Sequence, residues 1–337
     1  MSKAAQVSER VRGQAAQAHN PTGCNNVLPI SVIIPIYNHE QYIQHCLRSL
    51  GLGAPPREII LADNASTDGS VAAAQALGLP NLRVIRNDRN LGATQARHIA
   101  VQEARCELLC FLDSDDWLGP QALDLALTEL TENRLDASLF TMFRISNDET
   151  LLFSLEPPEG VLTGQDAFEL TLGEWRIDSR GVYKKAVYES AFAQLDCRGH
   201  SDDEILARLM FLQADRIGGT SGVYNYRHVE KPPTTDMVVG QTRTNLRVLE
   251  LAAARSAQLK DKGLVRSMRN VVVRNLLGLT VRALRRQADF GVVRDLYGTY
   301  AEVPVGWTRA DARYRLFDRL VAAGLAAMRP VRRSEKG

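Results

Sequence analysis

Between residues 28 and 132 the chain repeats one pattern four times, a short apolar run, a polar turn, then apolar residues at helical spacing. In LPISVIIPIYN the stretch Ile30–Ile34 is rich in β-branched residues and does not alternate with charge, which predicts a strand covered on both faces of a parallel sheet. Asn38 is placed to cap a helix running to about Leu50. REIILADNASTDGS predicts a strand over Glu58–Ala62, a polar turn and a helix to about Leu77. NLRVIRNDRNLGATQARHIA predicts a third strand, a turn containing Gly92 and a helix from about Ala93. LLCFLDSDDWLGPQALDLALTEL predicts a fourth strand and a helix that Pro120 is suited to start. Four βα units in succession make the fold class α/β, a doubly wound, mostly parallel sheet with flanking helices. In such sheets ligands bind beyond the carboxyl ends of the strands.

The unusual residues fall at those ends. Tyr37 and Asn38 follow the first predicted strand, Asp63 and Asn64 the second, Asn87 to Gly92 the third, and Asp113, Asp115 and Asp116 the fourth. No GxGxxG follows the first strand and no GxxxxGK[ST] occurs, which disfavours a dinucleotide fold and a P-loop. Carboxylates at a phosphate site act through a divalent cation, since Mg²⁺ or Mn²⁺ takes oxygen ligands from one or two carboxylates and from the phosphates themselves. Taken alone, the aspartates could equally end a strand and cap the next helix.

Composition narrows the class. With 337 residues, 45% hydrophobic and 24% charged, the chain can bury a large core and reads as soluble. Five cysteines without a CxxC pair suit reduced thiols of a cytoplasmic protein better than a disulfide framework or zinc site. Residues 1–26, polar and lacking an apolar centre, are expected to be a disordered tail. No apolar run reaches the ~20 residues of a membrane-spanning helix. The net charge of +2 conceals an asymmetry, because residues 241–337 carry 20 Lys and Arg against 8 Asp and Glu. Helical spacing in that region suggests a basic helical extension that covers the catalytic domain or lies on anionic lipid, with FDRLVAAGLAAMRPVRR the best segment for lipid contact. No motif supports nucleic acid as a partner.

The motifs VIIPIYN, ADNASTDGS, Asn90-Leu-Gly-Ala-Thr-Gln-Ala-Arg97 and FLDSDDW closely resemble, in order and spacing, the nucleotide-sugar-binding half of family 2 glycosyltransferases of the GT-A fold. The resemblance continues more weakly through VYKKAVYES, HSDDEILARL and VYNYRHVEKPPTT. It implies a GT-A domain over 27–240, with a nucleotide-sugar half to 145 and an acceptor half from 146, followed by a helical extension over 241–337. It implies a metal-dependent, inverting transfer from a nucleotide sugar, most readily a UDP-sugar, to a hydroxyl of a glycan or lipid-linked acceptor. The expected location is cytoplasmic, with peripheral contact at the inner face of the membrane.

The resemblance also implies roles by position. Asp63 would accept the N3 hydrogen of uracil, Tyr37 would pack on that ring, and Pro35 and Ser114 would line the donor site with Arg97. Asp113 and Asp115 match the Asp-X-Asp motif, Asp115 as direct ligand of Mn²⁺ or Mg²⁺ and Asp113 toward the ribose or sugar. His98 stands where the family usually has asparagine, and Ala62-Asp63 where it often has Asp-Asp. The catalytic base would be Asp203, with Asp202 as rival, although Ser201 and Glu204 also read as a capping box. His228 resembles a position that closes over the diphosphate and is the remaining metal candidate. Trp117 and Trp175 could face a sugar or pack in the core. Two alternatives follow from the same resemblance. A non-catalytic nucleotide-sugar-binding protein would show a broken metal motif, and a processive polysaccharide synthase would show membrane helices and a Gln-x-x-Arg-Trp motif.

Overall fold

The computed structural model describes residues 27–146, 150–195, 202–228, 234–261, 263–285 and 289–303. The predicted tail 1–26, Ser201 and the segment 317–333 lie outside the described residues. Those that are described fall into two compact units, one built from residues up to Thr171, from Trp175 to 195 and from Leu206 to 228, the other from Leu172–Glu174, 202–205 and the residues from 234 onward.

The first unit begins with the anticipated alternation, β1 (Leu28–Ile36), α1 (Glu40–Ser49), β2 (Pro56–Asp63), α2 (Ser70–Gln75), β3 (Leu82–Arg86), α3 (Ala93–Gln102) and β4 (Leu108–Phe111). A short β5 (Trp117–Leu118) precedes α4 (Ala122–Glu132), β6 (Ala137–Ser146), β7 (Leu151–Leu155), α5 (Gly164–Glu169), β8 (Gly181–Lys184) and α6 (Lys185–Phe192). Helix α7 (Asp202–Gln213) starts in the second unit and ends in the first, and β9 (Ile217–His228) completes the sheet.

The strands order as β3-β2-β1-β4-β8-β6-β9-β5, with β7 on the side of β6. The first four are parallel, and Ile33 of β1 lies between Ile60 of β2 and Phe111 of β4. Beyond β4 the sheet is mixed, since β8 runs antiparallel to β4 and β6, β9 parallel to β6, and β5 antiparallel to β9. Central β1 is buried on both faces, as its apolar run requires. Its Ile30, Val32 and Ile34 share one core with Ile43, Cys46 and Leu47 of α1 and with Leu123, Ala126 and Leu130 of α4, which recur at helical spacing.

Helix starts differ from expectation in an informative way. Asn38 does not cap α1 but takes a left-handed conformation, φ 54°, and its side-chain oxygen accepts from Thr67 N at 2.8 Å. The caps come instead from the neighbouring loop. Ser70 Oγ accepts from His39 N at 2.9 Å and Asp68 Oδ2 from Glu40 N at 3.2 Å, while Glu40 Oε2 accepts from Gly69 N at 3.0 Å. A side chain at Gly69 would collide with that carboxylate, its Cβ falling 2.5 Å from the nearer oxygen. Helix α2 ends at Gln75 and α4 begins at Ala122, two residues after Pro120.

The second unit holds α8 (Thr235–Ala254), α9 (Gly263–Leu284) and α10 (Phe290–Glu302), which pack on one another through buried Leu246, Leu249, Met268, Val272, Leu276 and Leu296. No helix among the described residues is long and apolar enough to cross a membrane. Arg269 of α9 is buried, so the basic character of this region is not confined to its surface.

Candidate active site

The carboxyl ends of β1, β2, β3 and β4 meet along one edge of the first unit, and Tyr37, Asp63, Asn64, Asp113, Asp115 and Asp116 end or follow those strands. Pro35 is buried in β1 opposite Ala62, and Tyr37 just beyond it is exposed. Asp63 ends β2 fully buried, yet its two oxygens are engaged, Oδ1 by Ser66 N at 2.9 Å and Oδ2 by Arg86 Nε at 2.9 Å. Arg86, at the end of β3, keeps most of its side chain in solvent. Asn64 organises the turn after β3, its Oδ1 accepting from Leu91 N at 2.9 Å and its Nδ2 donating to Asn90 Oδ1 at 2.7 Å.

The loop after β4 carries three aspartates with three different surroundings. Asp113 is paired with Arg97 of α3, and Arg180 Nη2 stands 3.8 Å from its other oxygen. Burial alone would raise the Asp113 carboxyl, but Arg97 and then Arg180 hold it below the ordinary aspartate range. Asp116 is buried, accepting from the Tyr224 hydroxyl at 2.7 Å and from Arg227 N at 2.8 Å. Burial above all, with Asp113 next, pushes its carboxyl up to about 8. Asp115 differs from both. Among the described residues no other side chain donates to its carboxylate, although Arg227 Nε donates to its main-chain oxygen at 3.0 Å. Burial and then the negative charge of Asp113 raise it above the usual range.

That contrast is the test of fit for a divalent cation. Among the described residues no group of three or more His, Cys, Asp and Glu side chains is arranged to hold a metal by itself. A Mg²⁺ or Mn²⁺ completed by substrate phosphates needs only one or two carboxylates. Asp115 suits that task, a partly buried carboxylate to which no side chain donates among the described residues, the charges of His39 and Arg227 acting on it less than burial and Asp113 do. His228, the further metal candidate, has its ring against Arg144 Nη2, 2.7 Å from Nδ1 and 3.1 Å from Nε2, so the nitrogen a cation would need already faces a guanidinium.

The remaining expectations distribute as follows. Ser114 is buried and bonded to His39 Nδ1 at 2.8 Å. His98 stacks on Phe192 with ring centroids 3.5 Å apart, and burial lowers its pKa. The planes of both tryptophans have protein partners, Trp117 with His45 and Arg227 at 4.7 and 4.8 Å, and Trp175 with the Arg208 guanidinium at 4.1 Å. Asp202 and Asp203 lie in the first turn of α7, the first partly buried and the second exposed. Arg86, Arg180, Tyr224 and Arg227 were not singled out as site residues by the sequence. The one trace of them is the alternation of aromatic and polar residues in VYNYRH, which puts Tyr224 and Tyr226 on one face of β9 and around Arg180, at 4.9 and 4.8 Å.

Residues 31–191 match the model of glycosyl transferase family 2. A poly(ribitol-phosphate) β-glucosyltransferase of Bacillus spizizenii is 27% identical over 215 residues, 60% of this chain and 32% of that protein. The poly(ribitol-phosphate) β-N-acetylglucosaminyltransferase TarS of Staphylococcus aureus is 31% identical over 121 residues, 34% of this chain and 21% of TarS. The chain thus spans a third or less of the length of these relatives. The crystal structure of S. aureus TarS 1–349 in complex with UDP-GlcNAc superposes with a TM-score of 0.60 at 21% identity, covering 88% of this chain and 90% of that one. Residues 31–191 are therefore a family 2 glycosyltransferase domain, and the chain is built on the GT-A fold.

Proposed function

We propose that the protein is a metal-dependent, inverting glycosyltransferase that moves one sugar from a UDP-sugar to a hydroxyl of a glycan or lipid-linked acceptor. The observation that carries this reading is the difference between Asp113 and Asp115, one ion-paired with Arg97 and Arg180 and the other, two residues away, without an ion pair or side-chain donor among the described residues. Relatives named for transfer to poly(ribitol-phosphate), and a structural neighbour bound to UDP-GlcNAc, support the same donor and acceptor classes.

In this reading Asp63 accepts from the base, because each of its oxygens retains a lone pair after bonding Ser66 and Arg86. Arg86 has further N–H groups beside it to donate to a base carbonyl. Asp113, held by its two arginines, accepts from a ribose or sugar hydroxyl. Asp115 would hold Mn²⁺ or Mg²⁺, which when bound supplies positive charge against that developing on the departing diphosphate. A sugar hydroxyl is a poor nucleophile, so Asp203 takes its proton as attack on the anomeric carbon proceeds, with Asp202 as the alternative.

A thermal-shift panel of UDP-, dTDP-, GDP- and CDP-sugars, with and without Mn²⁺, tests the reading, since a ligand that binds only the folded state raises its melting temperature. A UDP-sugar should stabilise the protein in Mn²⁺ and much less without it. No shift with any nucleotide sugar, or equal shifts with and without the cation, would overturn the reading.

A further inference from the structure

We infer that Tyr224 is a positioning residue, whose hydroxyl clasps both ends of the Asp113–Asp116 turn and so places the Asp115 carboxylate that lies between them. The inference rests on the glycosyl-transfer reading, and it assigns the third aspartate of the cluster to anchoring.

Tyr224 is fully buried in β9, opposite Leu118 of β5 and Met142 of β6. Its hydroxyl accepts from Asp113 N at 3.1 Å and donates to Asp116 Oδ2 at 2.7 Å. One partner would satisfy a buried phenol. Two partners three residues apart make it a clasp across the turn, which is also closed by Asp116 N donating to Asp113 O at 3.0 Å. Arg227, three residues further along β9, adds a second pair of ties, its N to Asp116 Oδ1 at 2.8 Å and its Nε to Asp115 O at 3.0 Å. The Arg227 guanidinium is itself fixed between Tyr42 and Trp117, 5.0 and 4.8 Å from their ring centres. The main chain on either side of Asp115 is thereby bound to one strand while its carboxylate is left for a ligand.

Asp116 has both oxygens bonded from β9 and is almost wholly excluded from solvent, which makes it a poorer place for a cation than the partly exposed Asp115. The cluster therefore divides by task, with Asp113 facing arginines, Asp115 open, and Asp116 turned inward as the anchor.

Calorimetry of UDP binding to Tyr224→Phe, Asp116→Ala and Asp116→Asn, each with and without Mn²⁺, tests the inference. Tyr224→Phe leaves the ring and strips the clasp. It should weaken Mn²⁺-dependent UDP binding by roughly tenfold, about 1.4 kcal/mol, and change Mn²⁺-free binding much less, because the turn that carries Asp115 is loosened. Asp116→Ala should do the same. Asp116→Asn can still accept from Arg227 N and donate from its amide to the phenol oxygen, keeping the turn tied although the phenol proton loses its acceptor, so it should lose less affinity than Asp116→Ala. Wild-type affinity in Tyr224→Phe would overturn the inference, as would equal loss in Asp116→Asn and Asp116→Ala, which would make Asp116 a ligand. If the wild type itself binds UDP no better with Mn²⁺ than without, it is the proposed function that fails. Melting curves separate a lost clasp from a lost fold, and if Tyr224→Phe does not fold, the Asp116 pair decides.

Discussion

Arg86 Nε lies 2.9 Å from Asp63 Oδ2, so the carboxylate at the end of β2 is held by a guanidinium reaching in from solvent at the end of β3. In the proposed reading the pair would offer a base an acceptor next to donors, which complements uracil, whose N3 donates beside a carbonyl, and not cytosine, whose N3 accepts. UDP should therefore bind more tightly than CDP, by a factor of roughly ten or more. Arg86→Ala should narrow that ratio and Asp63→Asn should remove it. Fluorescence competition between the two nucleotides measures the ratio, and an unchanged ratio in Asp63→Asn would place base recognition elsewhere.

Asp115→Ala should remove the effect of Mn²⁺ on UDP binding while leaving the melting temperature close to wild type. Because burial and Asp113 raise the Asp115 pKa, protons compete with the cation there. Mn²⁺ affinity in the presence of UDP should weaken as pH falls, with proton uptake by the protein when metal leaves. Calorimetry in buffers of different ionisation enthalpy reads that proton directly.

Asp116 makes a separate claim about stability. Its folded pKa of about 8 lies above the unfolded value, so the native state binds the extra proton. Stability of the metal-free protein should then fall as pH rises from about 4 toward 8 and level off above, since over that interval the unfolded chain binds fewer protons. Asp116→Asn cannot titrate and should flatten the curve. Urea denaturation across that range checks the slope, and identical slopes in the two proteins would refute the assignment.

Asp203→Asn preserves shape but cannot take a proton. Turnover should drop by roughly 10² to 10⁴ with UDP affinity intact. A larger loss in Asp202→Asn than in Asp203→Asn would transfer the role to Asp202. Steady-state kinetics with saturating donor distinguishes them.

What could be read in the chain was what is local. The β-branched run of β1, the acidic turn after β4 and the four βα units follow from adjacent residues, and each is in place. The mixed half of the sheet was not legible, because the pairing of β8 between β4 and β6 depends on partners far away in the chain, such as Leu108 with Lys184 and Leu139 with Gly181. The same holds within the site. Asp63 and Asp113 could be picked out as carboxylates at strand ends, but Arg86 and Arg180 only become their partners once β3 and β8 lie beside them. Asn38 shows the limit most simply. Its residue type suits a cap, yet the adjoining loop supplies better acceptors through Ser70 and Asp68, and Asn38 turns to Thr67 instead.

The reciprocal caps between Glu40 and the Asp68–Gly69 loop carry a kinetic consequence. Neither helix can fray at its amino end without stripping the other of an acceptor. The amides of Glu40 and Gly69 should thus exchange with deuterium through one shared opening, at matched rates, although 29 residues separate them in the chain. Replacing the Glu40 carboxylate with an alanine methyl should speed exchange at Gly69, Ala73 and the start of α1 alike, so that the two loops bordering the donor site loosen as a unit.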